Sequence, residues 1–222
     1  MIKYGFGCMV NDVERLKRNL LYSRGFPVDK IIIANGKEEG VNASKLLNRL
    51  ITRMEEMGGE VGIFLHEDVI LPPFWTERCV ELLHDLPDNW MIAGVWGIDE
   101  EGYYHGNVHD GRLGTMAQRT EPLPAKVLAL DELCLIIKLN KGFSFDERME
   151  GWDLYGTYAC LKAKDLGYSS WAIDNCLYHN ATRPFGFTPD ENFKTNWKKM
   201  MKFGSPIHST VIASEAEEGL CN

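Results

Sequence analysis

The sequence has no CxxC pair, no Lys/Arg block, no apolar run of membrane-spanning length and no glycine-rich phosphate loop. Each absence excludes a class of protein. Six cysteines (Cys8, Cys79, Cys134, Cys160, Cys176, Cys221) lie scattered, several inside apolar runs. That usage suits reduced core thiols and a cytoplasmic location better than a disulfide or zinc framework. With Lys+Arg 24 against Asp+Glu 32 the formal net charge is -8, so the basic footprint of a nucleic-acid binder is missing. The longest apolar stretches, 61–65 and 133–137, fall far short of the roughly 18 to 20 residues that cross a bilayer, and no transmembrane segment is expected. The first ten residues meet the polar pair Asn11-Asp12 at once and lack the basic and apolar regions of a signal peptide, so they read as a first strand. Gly5-Phe6-Gly7 is accompanied by neither GxGxxG nor GK[ST]. No Ser/His/Asp arrangement, internal repeat or low-complexity segment is found, and Cys8 has no evident activating partner.

What is present fits a folded α/β chain. The 222 residues are 45% hydrophobic and 11% aromatic, enough for one sizeable core, which predicts one domain over 1–213 and a polar tail over 214–222. Strands are expected at 3–10, 30–34, 61–65, 90–98, 126–138 and 168–178, and helices at 13–22, 43–57, 74–85, 152–166 and 191–202. The second helix shows the pattern most plainly, with Leu46, Leu47, Leu50, Ile51 and Met54 at helical spacing before Gly58-Gly59. Strands alternating with helices predict a mostly parallel central sheet, helices on both faces, and ligands beyond the carboxyl ends of the strands. The stretch 99–125, Gly-rich and without a clear period, reads as a long loop or lid.

Three polar groups carry potential chemistry. His66-Glu67-Asp68 follows an apolar strand, so alternation sends His66 and Asp68 to one side and Glu67 to the other. An imidazole and a carboxylate facing one cleft suit Mn2+ or Mg2+, and such an ion can neutralise the charge on a departing diphosphate; the bland alternative is that the triplet only solvates a strand end. His105, His109 and Asp110 form a second cluster, but Gly106 and Asn107 argue against a helical metal pair and for an exposed or acceptor-contacting loop. His84 and His208 have no supporting neighbours and are expected at the surface.

The wider pattern adds a family. Cys8-Met9-Val10-Asn11-Asp12 follows the first strand, Leu47-Asn48 lies in the second helix, and Phe64-Leu65-His66-Glu67-Asp68-Val69 is DxD-like. Then come Leu130-Asp131-Glu132, Phe145-Asp146-Glu147, Gly151-Trp152-Asp153-Leu154-Tyr155, Cys160-Leu161-Lys162-Ala163, Leu166-Gly167-Tyr168 and His179. In this order, over roughly 3–182, they resemble the GT-A glycosyltransferases of the family 2 type, and within them the subgroup similar to the streptomycin-biosynthesis glycosyltransferase-like domain. The resemblance implies a GT-A, Rossmann-like fold and a metal-dependent transfer of sugar from a nucleoside-diphosphate sugar to a hydroxyl acceptor. It puts the nucleotide-sugar under the first strands, at Val10, Asn11, Asp12 and Asn35, with Asn48, His66, Glu67 and Trp152 also assigned to it. Asp68, His66 and His179 are assigned to the metal.

Two places depart from that pattern. Asn35-Gly36 ends the second strand where relatives often carry an Asp that reads the base, and Gly156 stands where an acidic residue commonly follows the Tyr matching Tyr155. An inverting transfer needs a carboxylate to take the acceptor's proton. Asp153 is the nearest replacement, about one helical turn away and partly shielded by Trp152 and Tyr155, with Glu150 and Glu147 preceding it at similar spacing. Acidic residues in a first helical turn also simply favour the helix dipole. Two other functions remain open at this level: a non-catalytic nucleotide-sugar or glycan-binding module on the same fold, and a nucleotidyltransferase, although the basic glycine-rich loop expected after its first strand is absent.

Overall fold

The computed structural model describes residues 2–118, 122–181, 189–204 and 209–210. Along them run β1 (Tyr4–Val10), α1 (Val13–Arg18), β2 (Ile31–Asn35), α2 (Ala43–Glu56), β3 (Val61–Leu65), β4 (Val69–Ile70), α3 (Trp75–His84), β5 (Trp90–Gly94) and β6 (Trp96–Ile98). There follow β7 (Tyr104–Asp110), β8 (Gly114–Gln118), β9 (Ala125–Lys126), β10 (Ala129–Leu130), β11 (Cys134–Lys138), α4 (Tyr155–Asp165), β12 (Ser169–Ala172), β13 (Tyr178–His179) and α5 (Glu191–Met200).

Short apolar strands, buried on both faces at β3 and β5, build the central sheet, which has the order β2-β1-β3-β11-β5-β12-β9. β2, β1, β3, β5 and β12 share one direction, and β11 and β9 oppose it. Phe6, Cys8 and Val10 of β1 and Ile63 and Leu65 of β3 pack with Leu16 of α1 and Trp75, Cys79 and Leu83 of α3. The opposite face, carrying Met9, Phe64, Leu135 and Ile137, packs with Leu47 and Leu50 of α2, Tyr155 and Ala159 of α4, and Phe193 and Trp197 of α5. This is the α/β, Rossmann-like, mostly parallel sheet with helices on both faces that the GT-A resemblance implies.

Helix α2 shows how locally the fold is encoded. Asn42 caps it by accepting from the Lys45 N–H at 2.9 Å, and Leu46, Leu47, Leu50, Ile51 and Met54 form one buried stripe. Each such side chain contributes on the order of 1.5–3 kcal/mol on leaving water.

The reading of 99–125 as a structureless loop is overturned. β7 and β8 pair there as an antiparallel hairpin, with residues 119–121 outside the described ones. They belong to a second sheet of order β10-β6-β7-β13-β4, with β8 added on β7. The expected strand 90–98 splits between the two sheets at Val95, the expected strand 126–138 resolves into β9, β10 and β11, and 168–178 into β12 and the approach to β13. Helix ends also move. α1 stops at Arg18, where Asn19 leaves the helical conformation (φ -113, ψ -87) and its side chain joins its backbone N–H in donating to the Arg15 carbonyl, at 2.8 and 3.1 Å. α4 starts at Tyr155 rather than 152, because Gly151 (φ 80) and Leu154 (φ 70) turn the chain through the left-handed region first. Cys8, Cys79, Cys134 and Cys160 are buried free thiols, and burial pushes the Cys79 and Cys160 thiols up to about 12. Cys221, His208 and the tail 214–222 lie outside the described residues, and no helix among those described is long and apolar enough to cross a membrane.

Candidate metal centre

The site forms where β3 leaves the central sheet and the chain enters the second one. The His66 N–H still donates to the Leu133 carbonyl at 3.1 Å, after which β4 pairs with β13 so that Val69 faces His179. On its other side β13 pairs with β7, and His179 faces Asp110. Neighbours across a ladder present their side chains to the same face. Asp110 and His179 are therefore set side by side, and the Asn180 N–H, donating to the Asp68 carbonyl at 2.8 Å, brings in Asp68 just ahead of β4.

A turn at Glu67-Asp68, between β3 and β4, places these groups. Glu67 turns away and its Oε2 accepts from the N–H groups of Asn11 (2.7 Å) and Asp12 (2.9 Å), tying down the turn after β1. Asp68 Oδ1 lies 3.9 Å from His66 Nδ1 and 3.5 Å from His179 Nε2. One donor atom from each of His66, Asp68 and His179 falls within 4.8 Å of the others. Asp68 Oδ1 is also a buried oxygen with no hydrogen-bond partner. Such an orphaned acceptor is costly unless something cationic satisfies it.

The outer partners of both imidazoles fit the same picture. His66 Nε2 is 2.8 Å from the Tyr155 hydroxyl, which in turn donates to the Glu132 carbonyl at 3.5 Å. With Nε2 engaged by Tyr155, Nδ1 is the nitrogen that faces Asp68. His179 Nδ1 is 3.1 Å from Asp110 Oδ2. Arg112, the largest influence on Asp110, holds that carboxyl down at about 2, so it accepts and the Nε2 lone pair faces Asp68. The residues present fit a divalent cation: two neutral nitrogens and one carboxylate converge, each nitrogen oriented by a second bond.

Charge around the cluster is mixed. Burial alone would push the Asp68 carboxyl up, but the nearby His179, with His66 and Arg15, holds it below the usual carboxylate value. Burial likewise opposes charge on His179, and Asp68 followed by Asp131 and Asp110 outweighs it, so its pKa is raised. Arg15 of α1 reaches in, with Nη1 at 3.6 Å from Asp68 Oδ2 and 4.0 Å from Glu67 Oε1.

The remaining expected residues divide by what their side chains already hold. Val10, Asn11, Asp12 and Asn35 lie at the carboxyl ends of β1 and β2, on the same edge as the metal cluster. There Asp12 is the N-cap of α1, accepting from the N–H groups of Glu14 (2.9 Å) and Arg15 (3.1 Å), and Asn35 closes its own turn on the Lys37 N–H at 3.0 Å. Asn48 accepts from the Phe145 N–H at 2.8 Å and donates to the Phe145 carbonyl at 3.0 Å and to Glu147 at 3.1 Å, so it works as a clip on that loop rather than presenting a free amide to a ligand. Trp152 is 37% exposed and Glu150 is exposed, its backbone N–H held by Asn196 at 3.2 Å. Asp153 is half-buried just ahead of α4, corrected from the first helical turn, and its charge is among those that raise the pKa values of Glu132 and Tyr155. The exposed face of Trp152 leaves it little role in shielding Asp153.

The second cluster is corrected as well. His105 is buried and 2.7 Å from Asp99, and Asp110 is buried against His179; neither belongs to an exposed loop. His109 bonds Thr115 at 3.0 Å, and His84 is exposed as expected. Arg15, Tyr155, Asp110 and Arg112 were not identified from the sequence as parts of the site, since each reaches it through a fold contact.

Gly156 has a packing reason to be glycine. Its N–H donates to Glu132 Oε1 at 3.2 Å, and a Cβ there would fall well inside contact distance of the Leu130 carbonyl oxygen. Gly156→Ala is therefore expected to destabilise the fold by about 1–3 kcal/mol, the usual scale of overpacking, read as a lower urea midpoint. An unchanged midpoint would refute that packing argument.

No family model matches the chain. A curated relative, "ATP synthase subunits region ORF 6" of Fuscovulum blasticum, is 30% identical over 142 residues, covering 61% of this chain and 55% of its own length. The chain thus matches about half of that protein. Among solved structures, A197 from STIV superposes with a TM-score of 0.50 at 12% identity, over 82% of this chain and 87% of its own. The mannosyltransferase PcManGT from Pyrobaculum calidifontis, solved in complex with GDP-Man and Mn2+, gives a TM-score of 0.49 at 10% identity, over 89% of this chain and 60% of its own. At such identity the likeness to A197 is one of fold: a mixed α/β chain, here carrying a candidate His-Asp-His metal site at the exit of β3.

Proposed function

We propose that this chain is a metal-dependent glycosyltransferase that moves a sugar from a nucleoside-diphosphate sugar to a hydroxyl acceptor. The observation that supports it best is the convergence of His66, Asp68 and His179 at the carboxyl edge of the parallel strands, where open α/β sheets bind their ligands. Two imidazoles with one carboxylate suit Mn2+ better than Mg2+, which prefers oxygen ligands. Bound there, the cation supplies electrostatic stabilisation of the diphosphate as it departs. Arg15 adds fixed positive charge beside Asp68 for the same phosphates. Glu67 keeps the turn at Asn11 and Asp12 rigid, and the adjoining edge from Val10 to Asn35 takes the nucleoside. Asp153, near Tyr155 and Glu132, receives the acceptor's proton.

A thermal-shift panel of nucleoside diphosphates and their sugars, run with Mn2+ and with chelator, tests this reading. A ligand at about 100 times its Kd stabilises by about 2.7 kcal/mol, which for a chain of this size is a Tm rise of roughly 5–10 °C. A rise that survives chelation, or none across the panel, would overturn it. One observation favours a second reading, a non-catalytic module that binds the same ligand: the backbone around Gly156 leaves no room for an acidic side chain there. Release of nucleoside diphosphate from a donor that binds separates the two.

A further inference from the structure

We infer that Asp110, clamped by Arg112, is a positioning residue of the metal centre, holding His179 so that its Nε2 lone pair is aimed at the space beside Asp68. This rests on the metal half of the reading above and says nothing about which donor is used. The backbone carries the first part of the argument. His179 is in register with Asp110 on β7, and the next residue, Asn180, donates its N–H to the Asp68 carbonyl, so the ring lies with Nδ1 3.1 Å from Asp110 Oδ2 and Nε2 3.5 Å from Asp68 Oδ1.

The hydrogen bonds carry the second. Arg112 donates from Nε to Asp110 Oδ1 at 2.9 Å and from Nη2 to Oδ2 at 2.7 Å, and the Arg112 N–H adds a further bond to Oδ1 at 2.8 Å. With His179 Nδ1 at 3.1 Å from Oδ2, both oxygens of this buried carboxylate are engaged. Asp110 is thus committed to orienting rather than to binding an ion itself. Asp68, by contrast, keeps Oδ1 without a hydrogen-bond partner. The two carboxylates flanking one imidazole have different tasks, and it is the contrast in their partners that separates them. A carboxylate behind a ligating imidazole fixes its tautomer, and losing it typically costs 10–100-fold in metal affinity.

The test uses Mn2+ alone, titrated by electron paramagnetic resonance, together with nitrogen-15 NMR of the imidazoles in the full chain at mildly alkaline pH. The parent protein is expected to show His179 protonated at Nδ1. Asp110→Ala is expected to bind Mn2+ about 10–100-fold more weakly with unchanged circular dichroism, and Asp110→Asn, which keeps an acceptor without the charge, to fall between. An Nε2-protonated His179 in the parent, or Asp110→Ala binding Mn2+ as tightly as the parent, overturns the inference. If Asp110→Ala does not fold, the tautomer in the parent and the Asp110→Asn titration still decide it. A parent that binds no Mn2+ at all sinks the metal reading itself, and the nucleotide panel fails independently of both.

Discussion

Asp68→Ala is expected to abolish the cation-dependent part of nucleotide-sugar binding, leaving a variant whose affinity by titration calorimetry is the same in Mn2+ and in chelator. In the parent, chelation is expected to weaken binding by two orders of magnitude or more, on the order of 3 kcal/mol. The size follows from what Asp68 alone supplies. It is the only carboxylate in the converging cluster, and its Oδ1 faces both imidazoles, at 3.9 and 3.5 Å. Two neutral nitrogens hold a hard divalent ion poorly without an anionic partner. The fold should survive, because residue 68 extends the pairing of β4 with β13 through its backbone carbonyl on the Asn180 N–H, which alanine retains. Equal parent affinity with and without chelator would sink the metal bridge.

The candidate metal cluster was legible in part, where the information is local. Strand alternation was the ground for expecting Glu67 to part from His66 and Asp68, but residues 67 and 68 form a turn, and it is this turn that puts Glu67 on the N–H groups after β1 while His66 and Asp68 converge. β1, β2, β3 and α2 were legible from local pattern too, the strands as short, largely apolar runs and α2 by its helical period. The second sheet was not. β7 reads Tyr-His-Gly-Asn-Val-His-Asp, polar residues with a glycine at φ 139, and its burial depends on β6 and β13 covering it. Nothing local marks Asp110 as the partner of His179, because a parallel pairing over 69 positions creates that contact. Asn48 shows the opposite error. Its place in the pattern suggested a ligand, but an asparagine amide matches a backbone N–H and C=O pair equally well, and Phe145 supplies both.

The last expected result concerns the proton, and here the structure changes the grounds while keeping the residue. Glu132 is also close to Tyr155, but it is buried and its Oε1 already accepts from the Gly156 N–H at 3.2 Å, while burial, then the charges of Asp131 and Asp153, push its pKa well up. Glu150 is exposed and fixed only through its backbone. Asp153 is half-buried and stands on the left-handed turn between Gly151 and Leu154, which aims it independently of α4. We therefore predict that Asp153→Asn lowers turnover by about two or more orders of magnitude, the scale of losing a general base, with donor affinity nearly unchanged. With water as the acceptor, the measurement is release of nucleoside diphosphate from whichever donor the thermal-shift panel identifies, alongside calorimetric binding of that donor. Glu150→Gln should turn over close to the parent rate. If Glu150→Gln is the slow variant and Asp153→Asn is not, the proton goes to the neighbouring carboxylate instead; if the parent binds donor tightly and neither substitution changes an already negligible release, Gly156 marks a fold that keeps the ligand and has lost the transfer.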